Sequence, residues 1–389
     1  MSEFEKQELK LAISGRINSS NVSKIEEELM AGILANHPES IVLDAEDLEY
    51  ISSAGLRVLL RIKKKCKNLS IINVNSIVYD VFDMTGFTEL MNVEKAYRRI
   101  SVDHCEVIGE GANGIVYRVS PENIVKVYRN QDALPEIQRE CDLARKAFVL
   151  GVPTAIPFSV VRVGDAYGSM FELLEADSLA ERIRKNPACI DECVRIVDRL
   201  LKSMHKIEVE AGELPDMREV AIRWAAFVKD YLPADKGERL LAMIKAIPVD
   251  YHMMHGDCHI KNIMISHGEP LMIDMDTLCC GHPVFELASI FNAYVGFYEL
   301  DKNDRSDFLG LLHKTCRVIW KKTLTSYLET EDESYLREVE NKVRIIGYTR
   351  LIRRNIRRGG LERVDSKALI EYHIHKICSL LETVDSLIF

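Results

Sequence analysis

The segment His255-Gly256-Asp257-Cys258-His259-Ile260-Lys261-Asn262 sets an acid, an amide and two imidazoles directly before the apolar run Ile263-Met264-Ile265. Ile273-Asp274-Met275-Asp276 follows shortly after. An aspartate can accept the proton of an attacking hydroxyl. An asparagine amide oxygen and a second aspartate are hard oxygen donors of the kind a magnesium ion takes. Zinc is the rival reading, because His255, Asp257, Cys258 and His259 are all possible ligands, but it gives Asn262 and Asp274 no role. Upstream, Gly109, Gly111 and Gly114 form G-x-G-x-x-G, which lets backbone approach phosphate oxygens closely.

The flanks of the glycines decide what kind of loop they make. A dinucleotide-binding loop opens a helix, whereas GIVYRVSPENIVKVY continues as a strand, a turn at Ser120 to Asn123 and a returning strand that carries Lys126. That order resembles the kinase glycine-rich hairpin followed by the lysine for the α- and β-phosphates. A lysine on an edge strand facing water is the plainer alternative. Such a lysine needs a carboxylate, and the helix LPEIQRECDLARKAFVL offers Glu136 and Glu140, one turn apart. Glu140 is favoured by its apolar neighbours Ile137, Leu143 and Ala144. Next comes a strand-rich stretch with a hinge near Glu172 to Ala176, where backbone groups would meet an adenine and Leu174 is central to both possible registers. Asp257 and Asn262 have the spacing of the kinase catalytic loop, and Asp274 closes the strand LMID where a metal-gripping aspartate stands. His255 is read as a support for the loop.

The wording HGDCHIKNIM, IDMD and GHPVFELASI is similar to the aminoglycoside phosphotransferase and choline kinase-like family, over roughly residues 103 to 389. The resemblance implies an α+β bilobal, protein-kinase-like fold with a largely helical C-terminal lobe. It also implies an ATP- and Mg²⁺-dependent phosphotransferase acting on the hydroxyl of a small molecule. Asp257 would be catalytic, Gly109, Gly111, Gly114, Lys126, Glu140 and Leu174 would bind the nucleotide, and Asn262 and Asp274 would hold the metal. One departure is Glu286, where the family's D-L-A motif has an aspartate.

The first hundred residues alternate strand and helix patterns: Leu9, Leu11 and Ile13 in a strand, Val22, Ile25, Leu29 and Ile33 on a helix with Asn21 or Ser20 as its cap, then SIVLD, AGLRVLLRIKKKCK, LSIINV and a helix around Val78 to Met84. This predicts a small α/β sheet covered by helices. ISGRI, IVLD, YISSAGLRVLL and MTGFTEL, in that order, resemble the STAS domain of anti-sigma-factor antagonists. Signalling members of that family are phosphorylated on a serine immediately before the Gly-Leu pair. Here that position is Ala54, so Ser52 and Ser53 are read as helix caps. The domain is then a regulator or a docking module for a protein partner.

The 389-residue length fits two or three domains, and the expected division is 1–100 and 101–389, with lobes meeting near 175 and 176. A hydrophobic content of 47%, 29% charged residues and a net charge of −9 suit a soluble protein that is not a nucleic-acid binder. No apolar run approaches the roughly 20 residues that cross a bilayer, and MSEFEKQELK lacks a signal-peptide core. The expectation is a cytoplasmic protein without membrane or nucleic-acid partners. The ten cysteines form no pair of C-x-x-C knuckles and are read as reduced apolar residues. Trp224, Phe227 and Tyr231 at helical spacing are read as core before pocket. Arg350, Arg353, Arg354, Arg357 and Arg358 are read either as a helix end offsetting its dipole or as a contact for phosphate or an acidic partner. Two other readings compete with a small-molecule kinase: a protein-directed kinase, and a nucleotide-binding scaffold in a STAS-type circuit.

Overall fold

A computed structural model describes residues 8–111, 113–174, 176–301 and 304–389. The chain divides into two compact units, Met1–Ser101 with Val160–Asp165, and Val102–Ser159 with Ala166–Phe389.

In the first unit the strands Glu8–Ala12, Ser40–Asp44, Asn68–Val74 and Asn92–Lys95 lie side by side and all parallel. A parallel sheet needs crossover helices, and the intervening sequence supplies Val22–Asn36, Ser53–Lys65 and Ser76–Met84. Ile41, Leu43 and Ile71 of the central strands are wholly buried, and Leu29, Leu59 and Ile62 bring the apolar faces of the helices to the same core. Ser52 caps its helix, its Oγ accepting from Gly55 N at 3.4 Å, whereas Asn21 does not cap the first helix: its Oδ1 accepts from Asn18 N and its Nδ2 donates to Arg16 O. A short strand, Leu48–Ile51, pairs with Gly15–Ile17 and had too little alternation to be visible beforehand. The inserted piece, Val160–Asp165, joins this unit by parallel pairing of Val161 with Arg98 and Arg162 with Arg99.

The second unit begins with antiparallel strands ordered Glu106–Glu110, Gly114–Arg118, Asn123–Tyr128 and Ala166–Glu172. Lys126 sits on an inner strand, opposite Val116 on one side and Ser169 on the other, and the edge-strand alternative falls away. Its helix, Leu134–Val149, starts with Pro135 in the first turn, where a missing N–H costs nothing. The helical region is built around Val284–Tyr294, buried along its whole length and flanked by His313–Leu328 and Glu333–Arg357. Two small antiparallel sheets pin the chemistry-bearing segment. Met253–Met254 pairs with Cys279–Cys280, and Ile263–Ser266 pairs with both Ala176–Ser178 and Glu269–Met272. The loop 255–262 is therefore tied down at both ends. The Met217–Val228 helix passes into a 3₁₀ turn before the helical spacing of Trp224, Phe227 and Tyr231 is complete; Trp224 and Phe227 pack on the core while Tyr231 is exposed. The cysteines are free and most are buried.

Candidate active site

The glycine hairpin is closed by Gly111 N donating to Gly114 O at 2.9 Å. A side chain at Gly114 would run into the Val127 carbonyl, so the fold itself demands glycine there. At Gly109 and Gly111 an added Cβ would meet nothing nearer than 3.7 Å and 4.0 Å respectively. Packing does not require glycine at those two positions, and their bareness leaves the strand and turn approachable from outside. Ala112 lies outside the described residues.

Lys126 Nζ donates to Glu140 Oε1 at 2.9 Å, to Glu140 Oε2 at 3.2 Å and to Asp274 Oδ1 at 3.0 Å. Burial disfavours the ammonium, but Asp274, Glu140 and Tyr128 outweigh it and hold the lysine firmly protonated. Glu140 is buried and Glu136 exposed, which decides between them. Tyr128, which no motif marked, donates its hydroxyl to Glu140 Oε2 at 2.5 Å, and burial pushes its own ionisation well up. The glutamate is thus fixed from two sides. Leu174 is half-buried in the connection after Ala166–Glu172; the preceding amide, Leu173 N, is already committed to Glu122 O at 2.7 Å, and Glu175 lies outside the described residues.

The loop 255–262 is braced by a carboxylate far along the chain. Glu286 is fully buried, and it accepts from Gly256 N at 3.0 Å and from Cys258 N at 3.3 Å. Burial alone would protonate it; His205, His255 and the Gly256 amide reverse that and keep its carboxyl below the ordinary range. The methylene added relative to aspartate does not prevent the brace. Gly256 is held at φ +80° with its Cα against the Thr277 carbonyl, a position closed to any side chain. His255 Nδ1 accepts from Asp257 N at 3.3 Å, and its Nε2 lies 3.1 Å from Ile273 O, tying the loop to the strand end that carries Asp274.

Asp257 lies at the centre of several partners. Ser289 Oγ donates to its Oδ1 at 3.2 Å, His259 Nε2 is 3.5 Å from its Oδ2, and Arg350 is 3.8 Å from its Oδ1. Burial raises its carboxyl, but His259, Arg350 and His255 together carry it well below the usual carboxylate range. Ser289 and Arg350 are the functional neighbours that sequence reasoning missed or misplaced. Arg350 donates to Ser289 Oγ at 2.8 Å and to Gly256 O at 3.3 Å, and it covers the Trp224 ring at 5.7 Å. It belongs to the loop, not to a solvated helix end. Among the carboxylates further along the chain, Glu299 has a largely buried side chain that accepts from Tyr348 Oη at 2.9 Å, and Asp332 caps the Glu333–Arg357 helix.

The donor set suits a hard cation. Asn262 Nδ2 donates to Asp257 O at 3.1 Å, which turns its amide oxygen into the free acceptor. Asp274 takes a left-handed backbone at φ 67°, off the regular strand. Asp276 is pushed up to about 7 by burial and by Asp274, a carboxylate pair whose repulsion a divalent cation would relieve. Among the described residues no group of three His, Cys, Asp or Glu could hold a metal by itself, so such an ion would complete its shell with waters and phosphate oxygens.

An antiparallel sheet with a glycine hairpin and paired lysine, joined to a helical region bearing a braced Asp-to-Asn loop, defines a kinase-like phosphotransferase fold. Residues 104–311 match the phosphotransferase enzyme family and residues 2–100 the STAS domain; the chain belongs to that phosphotransferase family and carries an N-terminal STAS domain. The STAS part is 35% identical over 85 residues to a Bordetella bronchiseptica protein named as an anti-sigma factor antagonist, BtrV, covering 21% of this chain and 72% of that protein. The aminoglycoside phosphotransferase APH(4)-Ia is similar in structure, with a TM-score of 0.51 and 12% identity over 72% of this chain and 93% of that chain. A thermostable mutant of it in apo form gives a TM-score of 0.50 at 12% identity, over 72% and 94% of the two chains. At that identity the likeness is one of fold. No helix among the described residues is long and apolar enough to cross a membrane.

Proposed function

We propose that this chain transfers the γ-phosphoryl group of Mg²⁺-ATP to a hydroxyl of a small molecule, with residues 101–389 as the enzyme and residues 1–100 as a STAS regulator or docking module. The observation that carries the reading is Lys126, whose Nζ lies 2.9 Å from Glu140 and 3.0 Å from Asp274. A phosphate-binding cation is thereby joined to a metal-binding carboxylate from the opposite part of the unit. When bound, Mg²⁺ neutralises charge on the phosphate oxygens. Asn262 and Asp274 would hold it, Gly109, Gly111 and Gly114 would admit the phosphates, and Leu174 would lie along the base.

Asp257 orients the attacking hydroxyl by accepting its hydrogen bond. A carboxylate held so far below its usual range is a weak base. It takes the proton only late, as negative charge leaves the attacking oxygen, which suits a loose transition state with little nucleophile activation. Its partners Ser289, His259 and Arg350 fix which lone pair faces the acceptor.

Calorimetric titration of ATP with and without magnesium tests the reading. The full chain should bind more tightly with the metal, and Asp274→Ala should lose that metal-dependent gain. Equal affinity with and without magnesium would overturn it.

A further inference from the structure

The Glu333–Arg357 helix runs away from Asp257 along a file of guanidinium groups. Arg350 stands beside Asp257, Arg354 follows one turn on, and Arg358 comes one turn later at the helix end. With a rise of 1.5 Å per residue, Arg354 and Arg358 lie roughly 6 Å and 12 Å along the axis from Arg350. A second file, Arg353 and Arg357, runs alongside and feels Arg223 of the Met217–Val228 helix.

None of Arg223, Arg353, Arg354, Arg357 and Arg358 has a carboxylate partner among the described residues, although acidic residues outnumber basic ones in the chain by 60 to 51. Arg354 is the telling case. It is half-buried with its guanidinium 5.0 Å over the Phe297 ring. Burial, Arg358 and Arg350 all disfavour its charge, and Asp257 favours it more weakly. Offsetting a helix dipole needs cations in water at the last turn. Arg354 does stand in that last turn, but the dipole does not need a cation there to be partly desolvated among its own kind, on the side facing the reacting carboxylate. Phe297 continues through Phe308 to His259, the imidazole beside Asp257, so the aromatic floor and the cationic wall begin at the same place.

Several unpartnered guanidiniums at one place match a dianion, since each offers a planar fork to two oxygens. A polyamine acceptor would meet the wrong sign of charge. We propose that the acceptor carries a phosphate group of its own, bound by Arg354 and Arg358 with Arg353 and Arg357 beside them, while its hydroxyl reaches Asp257. The separation along the helix corresponds to the two ends of a phosphorylated sugar or polyol of a few carbons. This rests on the phosphotransferase reading above.

The test is titration of inorganic phosphate into the full chain already saturated with AMP-PNP and magnesium, so that the nucleotide site is filled. Saturable binding is expected. It should weaken about tenfold in Arg354→Gln and similarly in the exposed Arg358→Gln, which serves if the first variant is less stable. AMP-PNP affinity should be unchanged in both. Absence of saturable phosphate binding, or binding equally tight in both variants, would overturn the proposal, as would kanamycin binding that Arg354→Gln abolishes. If AMP-PNP does not bind, the nucleotide reading fails. The same phosphate titration on the nucleotide-free chain, compared with Arg354→Gln, then decides the anion site by itself.

Discussion

In the N-terminal unit two polar side chains at helix starts cap their own helices: Ser52 Oγ accepts from Gly55 N three residues on, and Asn75 Oδ1 accepts from Val78 N while its Nδ2 donates to Leu48 O. In the C-terminal unit the comparable groups serve one another across the chain. Gly256 N reaches Glu286 over 30 residues, and Lys126 reaches Asp274 over 148. A local cap is worth about 1 kcal/mol and can be lost without consequence elsewhere. A long-range polar contact in a buried place exists only because the tertiary fold has already placed both partners. It is therefore a mark of preorganisation. The contrast predicts that substitutions of similar chemical size will have effects of different kinds in the two units.

Asp257→Asn should give the largest effect. The amide is isosteric but cannot accept the acceptor's proton, so transfer should fall by about 10²- to 10⁴-fold. Nucleotide affinity should stay within a few-fold, because Lys126 and Asp274 are untouched. Rates of ADP release and an ATP titration check both halves. A fully active variant would remove Asp257 from its role and leave the C-terminal network merely structural.

Glu286→Ala comes next. It strips the acceptor from two amides, Gly256 N and Cys258 N, that meet here a fully buried carboxylate. Leaving buried donors unsatisfied costs about 1–3 kcal/mol each, so both melting temperature and transfer rate should drop. Glu286→Gln keeps one acceptor oxygen and should lie between. Thermal melts and rates on the two variants measure this, and a neutral Glu286→Ala would mean that the loop is set by its flanking strands alone.

Much of the nucleotide side was legible beforehand because its signals are short in sequence: glycine spacing, a hairpin turn, an apolar helix face around Glu140, and the Asp257-to-Asn262 interval. Secondary-structure periodicity then carried each residue to its element. The acceptor side was less legible. Arg350 reads as one of five arginines at a helix end, and its contact with Gly256 spans 94 residues, a distance over which no local pattern speaks. Ser289 and Tyr128 carry no unusual neighbours in the sequence, and their roles arise from helix and strand faces that meet only on folding. The insertion of residues 160–165 into the first unit was hidden for the same reason.

That insertion sharpens where the units can be cut. Every residue proposed for nucleotide, metal or proton chemistry lies between Gly109 and Asp274, and the arginines proposed for the acceptor lie further on in the same second unit, so a chain lacking the STAS part should still bind Mg²⁺-ATP. A start at Val102, however, deletes Arg98 to Ile100, which pair with Val161 and Arg162; Ile100 N alone donates to Arg162 O at 2.9 Å. A chain beginning at Tyr97 should therefore melt higher than one beginning at Val102, with ATP affinity within a few-fold of full length. Loss of nucleotide binding in a folded Tyr97 chain would show that the STAS domain completes the site, and the contrast between the units would fail.

The smallest effect is expected at Ser52. Its Oγ is 3.4 Å from Gly55 N, a long bond, so Ser52→Ala should cost no more than the lower end of the roughly 0.5–2 kcal/mol range for caps. Transfer rate and ATP affinity should not change, since the hydrogen-bond partners of Ser52 are Gly55, Leu56 and Ile17 of its own unit. Ser53, exposed at the first helical position, is accessible to a kinase, and a phosphate there would even suit the helix N-terminus. The residue directly before the Gly55-Leu56 pair is nevertheless Ala54, which has no hydroxyl to modify. Full-length protein incubated with ATP should accordingly carry no stoichiometric phosphate on Ser52 or Ser53 by peptide mapping. Near-complete phosphorylation of Ser53 would turn the N-terminal unit into a receiver of phosphoryl groups. A locally satisfied helix start would then be as functional as the long-range network it is contrasted with.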